Sequence, residues 1–479
     1  MGYIENNPTE KRFSKETGDV WIVRISPFID GVEIQFTSSI SVKPRIKILI
    51  SDFSTRKVVY EKVQYYDYSK PITVKGLAAN IDYYAEIVVC DEDLNEFARS
   101  NARLFRCGYF PGQVVDYIHP DDMNFIESGE FVGSPYIIKM ENGSYIASHD
   151  VFCHDGSGHS SLCRFFVSNN HGKSWSFLSE IEHCTWGTMF LHKGALYMIG
   201  TYSVKQFDLV LYKSTDEARS WSEAIVLAKG SESTKFRFTP TAYAVLNNRI
   251  WFYVGIAENG TNKTATVSAD LSADLCNPKA WTISDGTAYD EKWENAAPEW
   301  TEIMTEEGNV VVDPEGKLNI LTRCNSQRFD TPSTEPDNIR AYVFVVDEQN
   351  PHKAPEFKEA MPFNGALHKF YIRYDEANKR YVALLNRMTS DRIWQRNVLS
   401  LAVSNDLKRW EIQRDLLNLE DLNWNEDAWE AGVQYPSFII EENDIVAVVR
   451  TAISGADNFH NSNAMTFHRF KEIKDKFSF

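Results

Sequence analysis

The chain has 479 residues and a formal net charge of −17, with 43% hydrophobic and 24% charged residues; the balance is that of a soluble globular protein, and the length calls for two or more domains. The acidic balance excludes nucleic acid and an anionic membrane as partners, since both need a basic face, and no apolar run reaches the ~20 residues of a membrane helix. An acidic small ligand stays open, because a few arginines make a pocket locally positive.

Residues 1–17 read as a polar, solvated tail without a signal-peptide core, so the protein is either intracellular or has lost a signal. From 18 to 107 the pattern is of alternating strands. "GVEIQFTS" puts Val32, Ile34 and Phe36 on one face, and "RIKILISD" and "DYYAEIVVCD" repeat the form. "LAANIDYY" sets Leu77 six residues before Tyr83. This resembles the fibronectin type III pattern of the immunoglobulin-like β-sandwiches, in which that tyrosine makes a corner hydrogen bond. Ala79 stands where the family has a proline. The domain reads as a spacer or packing partner.

"GYFPGQ", Gly108 to Gln113, punctuates a boundary. Residues 108–479 show no long amphipathic helix, only hairpin signals around Asn142-Gly143, Lys193-Gly194, Asn247-Asn248, Glu315-Gly316 and Asn443-Asp444. "SNNHGKSW" (Ser168 to Trp175), "STDEARSW" (Ser214 to Trp221) and "SNDLKRW" (Ser404 to Trp410) recur 46 and 236 residues from the first serine. A period of about 40–50 residues built of hairpins is that of β-propeller blades. The stretch resembles the Asp-box of sialidase-like propellers (the BNR repeat), a turn between third and fourth strands. There Asn170 or Asp216 takes backbone amides, Gly172 adopts a left-handed conformation, and Trp175 or Trp221 packs between blades; the motif is structural. At about 47 residues per blade, seven blades with generous loops are expected, with six as the fallback. The fold class is all-β: an N-terminal sandwich and a sialidase-like propeller.

Sialidases open their propeller with an Arg-Ile-Pro-type strand and use three arginines, a Tyr/Glu nucleophile pair and an Asp acid. The nearest string, "VRISP" at Val23 to Pro27, falls in the sandwich, and no matching first-blade arginine follows residue 108. Exo-sialidase activity is therefore the lesser reading. "VGSPYIIKMENGSYIASHDVF", "TWGTMFLHKGALYMIGT", "EGNVVVDPEGKLNILTR", "HKFYIRYDEANKRYVALLN" and "DIVAVVRTAISGADNFHNSNAMTFHRF" look like the propellers of glycoside hydrolase family 145 and its polysaccharide-lyase relatives, over most of residues 108–479. The resemblance implies exo-cleavage of α-L-rhamnose linked to glucuronic acid in an acidic plant-type oligo- or polysaccharide (rhamnosidase type), in a secreted or periplasmic setting. No cofactor is required; a structural calcium ion near the axis occurs in some relatives. β-Elimination at the same linkage is the enzyme rival, and a non-catalytic glycan-binding propeller the rival of another class.

His149, in the "SHD" context, is the proton-transfer candidate that the resemblance implies, against a histidine satisfied within a blade. The ulvan-type relatives use a second histidine, and "ESGEFVGSP" has none where it would stand. Ordinary glycosidases use two carboxylates; Asp150, Glu302 and Glu307 are available. Arg323 and Arg450 each end an apolar strand, and their planar fork suits a uronate. Arg237 stands near where the family tends to carry a histidine. Trp186 could stack on a sugar face. Gln434, Tyr435, His460, Asn463 and Lys369 could bond hydroxyls or tie loops. Seven cysteines cannot all pair; Cys153 and Cys163 could bridge a loop. "CHDGSGHSS" after His149 tempts a metal reading that no carboxylate cluster backs.

Overall fold

The computed structural model describes residues 20–38, 45–66, 70–122, 131–152, 162–202, 207–290, 293, 304–325, 339–389, 396–419 and 429–471. The N-terminal tail, the segment 153–161 with Cys153, and Glu302 lie outside them.

Period-two alternation builds the N-terminal sandwich. In strand Gly31–Ser38, Val32, Ile34 and Phe36 are buried while Glu33 and Gln35 between them are half-buried. Strands Val20–Phe28, Gly31–Ser38 and Ile72–Lys75 form one sheet. In the other, Asp82–Cys90 pairs with Arg45–Asp52, Glu96–Arg99 and Arg103–Arg106, and Val58–Tyr65 flanks Arg45–Asp52. One apolar cluster joins the inner faces, with Ile22, Ile34, Ile48, Val74, Tyr83 and Ile87 among its members. The Tyr83 hydroxyl accepts the Ala78 N–H at 3.1 Å and bonds the Ala78 carbonyl at 3.4 Å. The corner bond expected of Tyr83 is thus present.

Six antiparallel sheets follow, and neighbours pack in chain order. Blade 1 holds Tyr136–Lys139, Tyr145–Phe152, Leu162–Ser168 and Ser176–Glu182, with Phe131–Val132 extending it. Blade 2 is Cys184–His192, Ala195–Tyr202, Asp208–Ser214 and Ile225–Ala228. Blade 3 starts with the short strands Thr234–Arg237 and Ala244–Leu246 on Arg249–Glu258, then Thr261–Asp270 and Trp281–Ile283. Blade 4 is Met304–Val312, Leu318–Asn325, Arg340–Val346 and Glu356–Pro362; blade 5 is Tyr371–Asp375, Arg380–Asn386, Val398–Ser404 and Glu411–Asn418. Blade 6 is Gly432–Glu441, Asp444–Ala452 and Ala464–Phe470, completed by Gln113–Tyr117 from the start of the propeller. Blade 1 packs on both blade 2 and blade 6, which closes the ring.

The expected seven blades become six among the described residues. Ser168 and Ser214 end third strands of adjacent blades, but Ser404 lies on blade 5, four blades from Ser168 rather than five. Long connections, such as Leu271–Ala280 in blade 3, make the mean repeat larger than the 46 residues separating the first two turns. The turns themselves follow the expected local logic. Asn170, Asp216 and Asp406 each accept backbone amides, from Ser174 at 2.9 Å, Ser220 at 2.9 Å and Lys408 at 2.8 Å. Gly172 has φ 85°. Trp175 packs on Phe467 of blade 6, and Trp221 on Phe165 of blade 1.

The seam between blades 1 and 6 has a polar clamp. Glu441 accepts from Lys139 at 2.5 Å, Tyr145 at 2.6 Å and Arg469 at 2.6 Å. Burial opposes the charge of Glu441, but the Lys139, Tyr145 and Arg469 bonds outweigh it and hold the carboxyl down at about 2. A lowered carboxylate stabilises fully above its unfolded pKa, and that contribution is lost as pH falls through the folded value. Acid unfolding between about pH 4 and pH 2 is expected to weaken in Glu441→Gln, read as a flatter dependence of Tm on pH; an unchanged acid limb would contradict the assignment.

The sandwich is joined to blades 6 and 1 through a buried ionic group. Arg24 donates to the carbonyls of Val115 (2.5 Å) and Val114 (3.2 Å). Arg103 pairs with Asp122 at 2.7 Å, and Arg164 bonds Asp116, the Val23 carbonyl and Glu180 (3.4 Å). Arg24, Arg103, Arg164, Asp116, Asp122 and Glu180 are all buried. The "VRISP" arginine therefore serves this junction. Tyr117, Ile453 and Ala464 of the propeller share the sandwich's apolar cluster.

Candidate active site

One large cavity, of about 670 Å³, opens at the ring, and every blade contributes to its lining. Its shape comes from local irregularities in the first strands of three blades. Pairing shifts interrupt the ladders at Thr185/Thr188 in blade 2, Glu306/Asn309 in blade 4 and Gln434/Ser437 in blade 6. Within each interruption one non-glycine residue has a left-handed backbone: Trp186 (φ 58°), Glu307 (φ 53°) and Tyr435 (φ 51°). All three line the cavity. A bulge re-aims a side chain that regular pleating would direct elsewhere, and strain of this kind collects at functional sites.

Three arginines converge on Tyr435. Arg323 of blade 4 places Nη1 2.8 Å from Glu307 Oε2 and 3.4 Å from the Tyr435 hydroxyl. Arg396 of blade 5 and Arg450 of blade 6 lie over the Tyr435 ring at 5.5 and 4.9 Å. Gln434 is fully buried behind this group: it accepts from Arg396 and donates to Ser462 Oγ at 3.2 Å. The Arg450 guanidinium donates to the His460 carbonyl. Burial lowers Arg450 to about 10, with repulsion from Arg396 adding to it, and lowers Arg396 in the same direction. Burial acts on Arg323 too, but Glu307 and the other acidic neighbours outweigh it and raise that group. Burial, then repulsion by Arg450 and Arg396, depresses His460 to about 2, so its imidazole is neutral.

Asp150 faces this group from blade 1. Its Oδ1 accepts the Ser134 amide at 2.8 Å, and a Cβ at Gly133 would meet its Oδ2 at 2.4 Å, so only glycine fits beside it. Burial raises the Asp150 carboxyl, against the Ser134 amide and the charge of Arg450. A carboxyl that keeps its proton above the ordinary range is suited to general acid work.

His149 does not belong to the cavity. Alternation along Tyr145–Phe152 turns it to the opposite face from Asp150. It is fully buried, with Nε2 3.0 Å from Asp116 Oδ2, Nδ1 2.9 Å from the Asp150 carbonyl and its ring stacked on Phe166. The histidine serves the junction with the sandwich. Asn463 is also elsewhere, tying Ile453 through bonds of 2.7 and 3.3 Å. Arg323, Arg450, Tyr435, His460, Trp186 and Arg237 do line the cavity. The residues the pattern did not single out are Arg396, Lys235, Lys263, Phe207 and the Gly133-Ser134 pair; Arg396 follows no apolar strand, which is the signal that marked the other two arginines.

Lys369 lies beneath the cavity rather than in its lining. It is buried, its amine is 5.5 Å from the Tyr435 ring and 5.9 Å from Tyr371, and it has no hydrogen-bond partner among the described residues. Burial lowers it to about 8 against the pull of Glu307 and Asp150. A lysine lowered on folding weakens the fold most below its folded pKa, and the penalty fades as pH rises toward the unfolded value. Lys369→Met is expected to raise Tm by a few degrees at neutral pH, with the gain shrinking above pH 8; a lower Tm in the variant at neutral pH would contradict this.

Among the described residues no group of three or more His, Cys, Asp or Glu side chains is placed to hold a metal ion. Cys163 is a buried free thiol. No helix among the described residues is long and apolar enough to cross a membrane.

No protein-family model matches the chain, and no curated protein does. Solved structures do. An α-L-arabinanase of Penicillium chrysogenum complexed with arabinobiose is similar at TM-score 0.50 and 12% identity, over 76% of this chain and 98% of that one. A mutant of Trypanosoma rangeli sialidase displaying trans-sialidase activity gives 0.51 at 13% identity, over 75% of this chain and 57% of that one. At such identities the likeness is one of fold: the chain is an all-β propeller of the sialidase and arabinanase type.

Proposed function

We propose that the protein is a glycoside hydrolase that releases a terminal sugar bearing a carboxylate. The observation that carries this reading is the meeting of Glu307 and Tyr435 at one nitrogen of Arg323, with Arg396 and Arg450 over the tyrosine ring. Three guanidinium groups suit a carboxylate held in fixed orientation. Asp150 protonates the departing glycosidic oxygen. The Tyr435 oxygen attacks the anomeric carbon as its proton passes to Glu307, and water then hydrolyses the glycosyl–tyrosine bond with Asp150 as base, which gives retention. The set resembles the sialidase arrangement, with one departure. The arginine missing from blade 1, where Gly133 and Ser134 line the cavity, is replaced by Arg450 from blade 6.

The rhamnose–glucuronate linkage remains within this reading as a substrate whose carboxylate sits on the second sugar. Its proton donor is then Asp150, since His149 is walled off. A polymer of this class is met outside the cytoplasm, which is the location we assign. We also infer a fibronectin type III class for the sandwich, on the Tyr83–Ala78 corner bond, and a role for it as packing partner of blades 6 and 1.

The test is a panel of α-sialosides, glucuronides and a rhamnosyl–glucuronate disaccharide, followed for released sugar, anomeric configuration by NMR, and the ultraviolet absorbance of an unsaturated uronate. Release of an acidic sugar with retention supports the proposal. Unsaturated product would move the assignment to a lyase, and glycan binding without any product to a binding module.

A further inference from the structure

We propose that the cavity wall on blades 2 and 3 is a second anion-binding subsite, which takes a carboxylate or a sulfate ester on the sugar next to the one released. This rests on the hydrolase reading above and names its substrate class: a glycan charged on both sides of the cleaved bond.

The wall is built by simple alternation. In "TKFR", strand Thr234–Arg237, Phe236 is buried in the apolar cluster between blades 2 and 3. Its neighbours Lys235 and Arg237 point the other way and line the cavity. Lys235 Nζ lies 5.4 Å from the centre of the Phe207 ring. That ring is stacked with Trp186 at 6.4 Å and 23°. Paired aromatic faces beside a cation suit a sugar ring with an anionic substituent. Lys263, on the same wall, is already paired with Glu258 at 2.5 Å. Lys235 and Arg237 have no ion-pair partner among the described residues, although the whole chain carries a charge of −17. Two unpaired cations retained in an acidic protein, both aimed into one cavity, point to an anion there.

Position in the ring separates the two anion sites. In a closed ring of six, blade 3 stands opposite blade 6. The arginine group occupies blades 4, 5 and 6, and Asp150 comes from blade 1. A sugar held by the arginines, with its leaving oxygen at Asp150, sends the rest of the glycan toward blades 2 and 3. A cavity of about 670 Å³ lies near the middle of the range of about 300–1,000 Å³ that holds drug-sized ligands, which leaves room for more than one ring.

The experiment presents the terminal acidic sugar that the panel identifies on three neighbours: neutral, sulfated and uronate. The wild type is expected to favour a charged neighbour by about tenfold in kcat/KM, the scale of one bond to a charged group. The preference should fall with added salt and drop to about one in the Lys235→Met/Arg237→Met double variant. Sulfate favoured over uronate, or the reverse, identifies the source of the anion. Equal turnover of all three by the wild type, or a preference that survives the double substitution, overturns the subsite and leaves the hydrolase reading standing. If the wild type releases no sugar from any member, the hydrolase reading falls. Calorimetry with a sulfated disaccharide then decides the subsite alone: equal affinity for wild type and double variant overturns it.

Discussion

Tyr435→Phe and Asp150→Asn are each expected to cut kcat by about 10²–10⁴-fold while leaving Tm near that of the wild type. The phenol oxygen of Tyr435 makes a long bond, 3.4 Å from Arg323, and its ring contacts survive in phenylalanine. The two variants separate by substrate. Tyr435→Phe removes the nucleophile and fails on every leaving group. Asp150→Asn removes the acid, so on an activated aryl glycoside, whose leaving oxygen needs no proton, the first step, read as kcat/KM, recovers most of its rate, while water attack on the glycosyl–tyrosine bond stays slow. The pH profile follows from the direction of the Asp150 shift. Burial raises that carboxyl, so the protonated, active form persists above the ordinary carboxylate range and activity falls as pH rises through the raised value. Asp150→Asn is expected to lose that alkaline limb. Equal loss on activated and natural substrates, or an unchanged limb, would remove Asp150 from the role of acid.

Asp116→Ala is expected to destabilise the protein by about 3–5 kcal/mol, because it leaves buried cations without their carboxylate. Asp116 is fully buried and receives both Arg164 and His149, with Arg24 and Arg103 in the same junction. Chemical denaturation and Tm read the effect. His149→Ala is expected to lower stability in the same direction through the lost Asp116 bond and the lost stacking on Phe166, and to leave kcat within about threefold. Loss of activity at unchanged Tm would instead return His149 to the chemistry.

The fold was readable because its signals are local. Turn residues, two-residue alternation and the Ser-x-Asx turns each act within a few residues; the turns appear where the pattern put them except the last hairpin, which turns at Glu442-Asn443, one residue before the expected Asn443-Asp444. The blade number was not, because connections such as Leu271–Ala280 add length without adding strands. The site divides in the same way. Arg323 and Arg450 each follow an apolar run in the sequence, and that sufficed to mark them, although both strands continue two residues further. His149 and Asp150 are neighbours in one strand, so the choice between them rests on which face meets the cavity. Nothing in "YIASHDVF" states that, since all but its last residue are buried. Tyr435 and Glu307 owe their direction to bulges, a two-against-one pairing that becomes visible only once the partner strand is in place.

The completion of blade 6 by Gln113–Tyr117 has a consequence for synthesis. Its partner, Ala464–Phe470, leaves the ribosome long after it. All the strands of the sandwich are synthesised by Arg106, whereas more than three hundred residues separate the edge strand Gln113–Tyr117 from the strand that pairs with it. Tyr117 sits in the sandwich's own apolar cluster, and Arg24 grips the carbonyls of Val114 and Val115. The early domain thus keeps the waiting strand against its own surface, out of reach of other nascent chains. A joint between two domains doubles as a holder for the first half of a clasp, and the slow, non-local step of ring closure begins from a strand already in position.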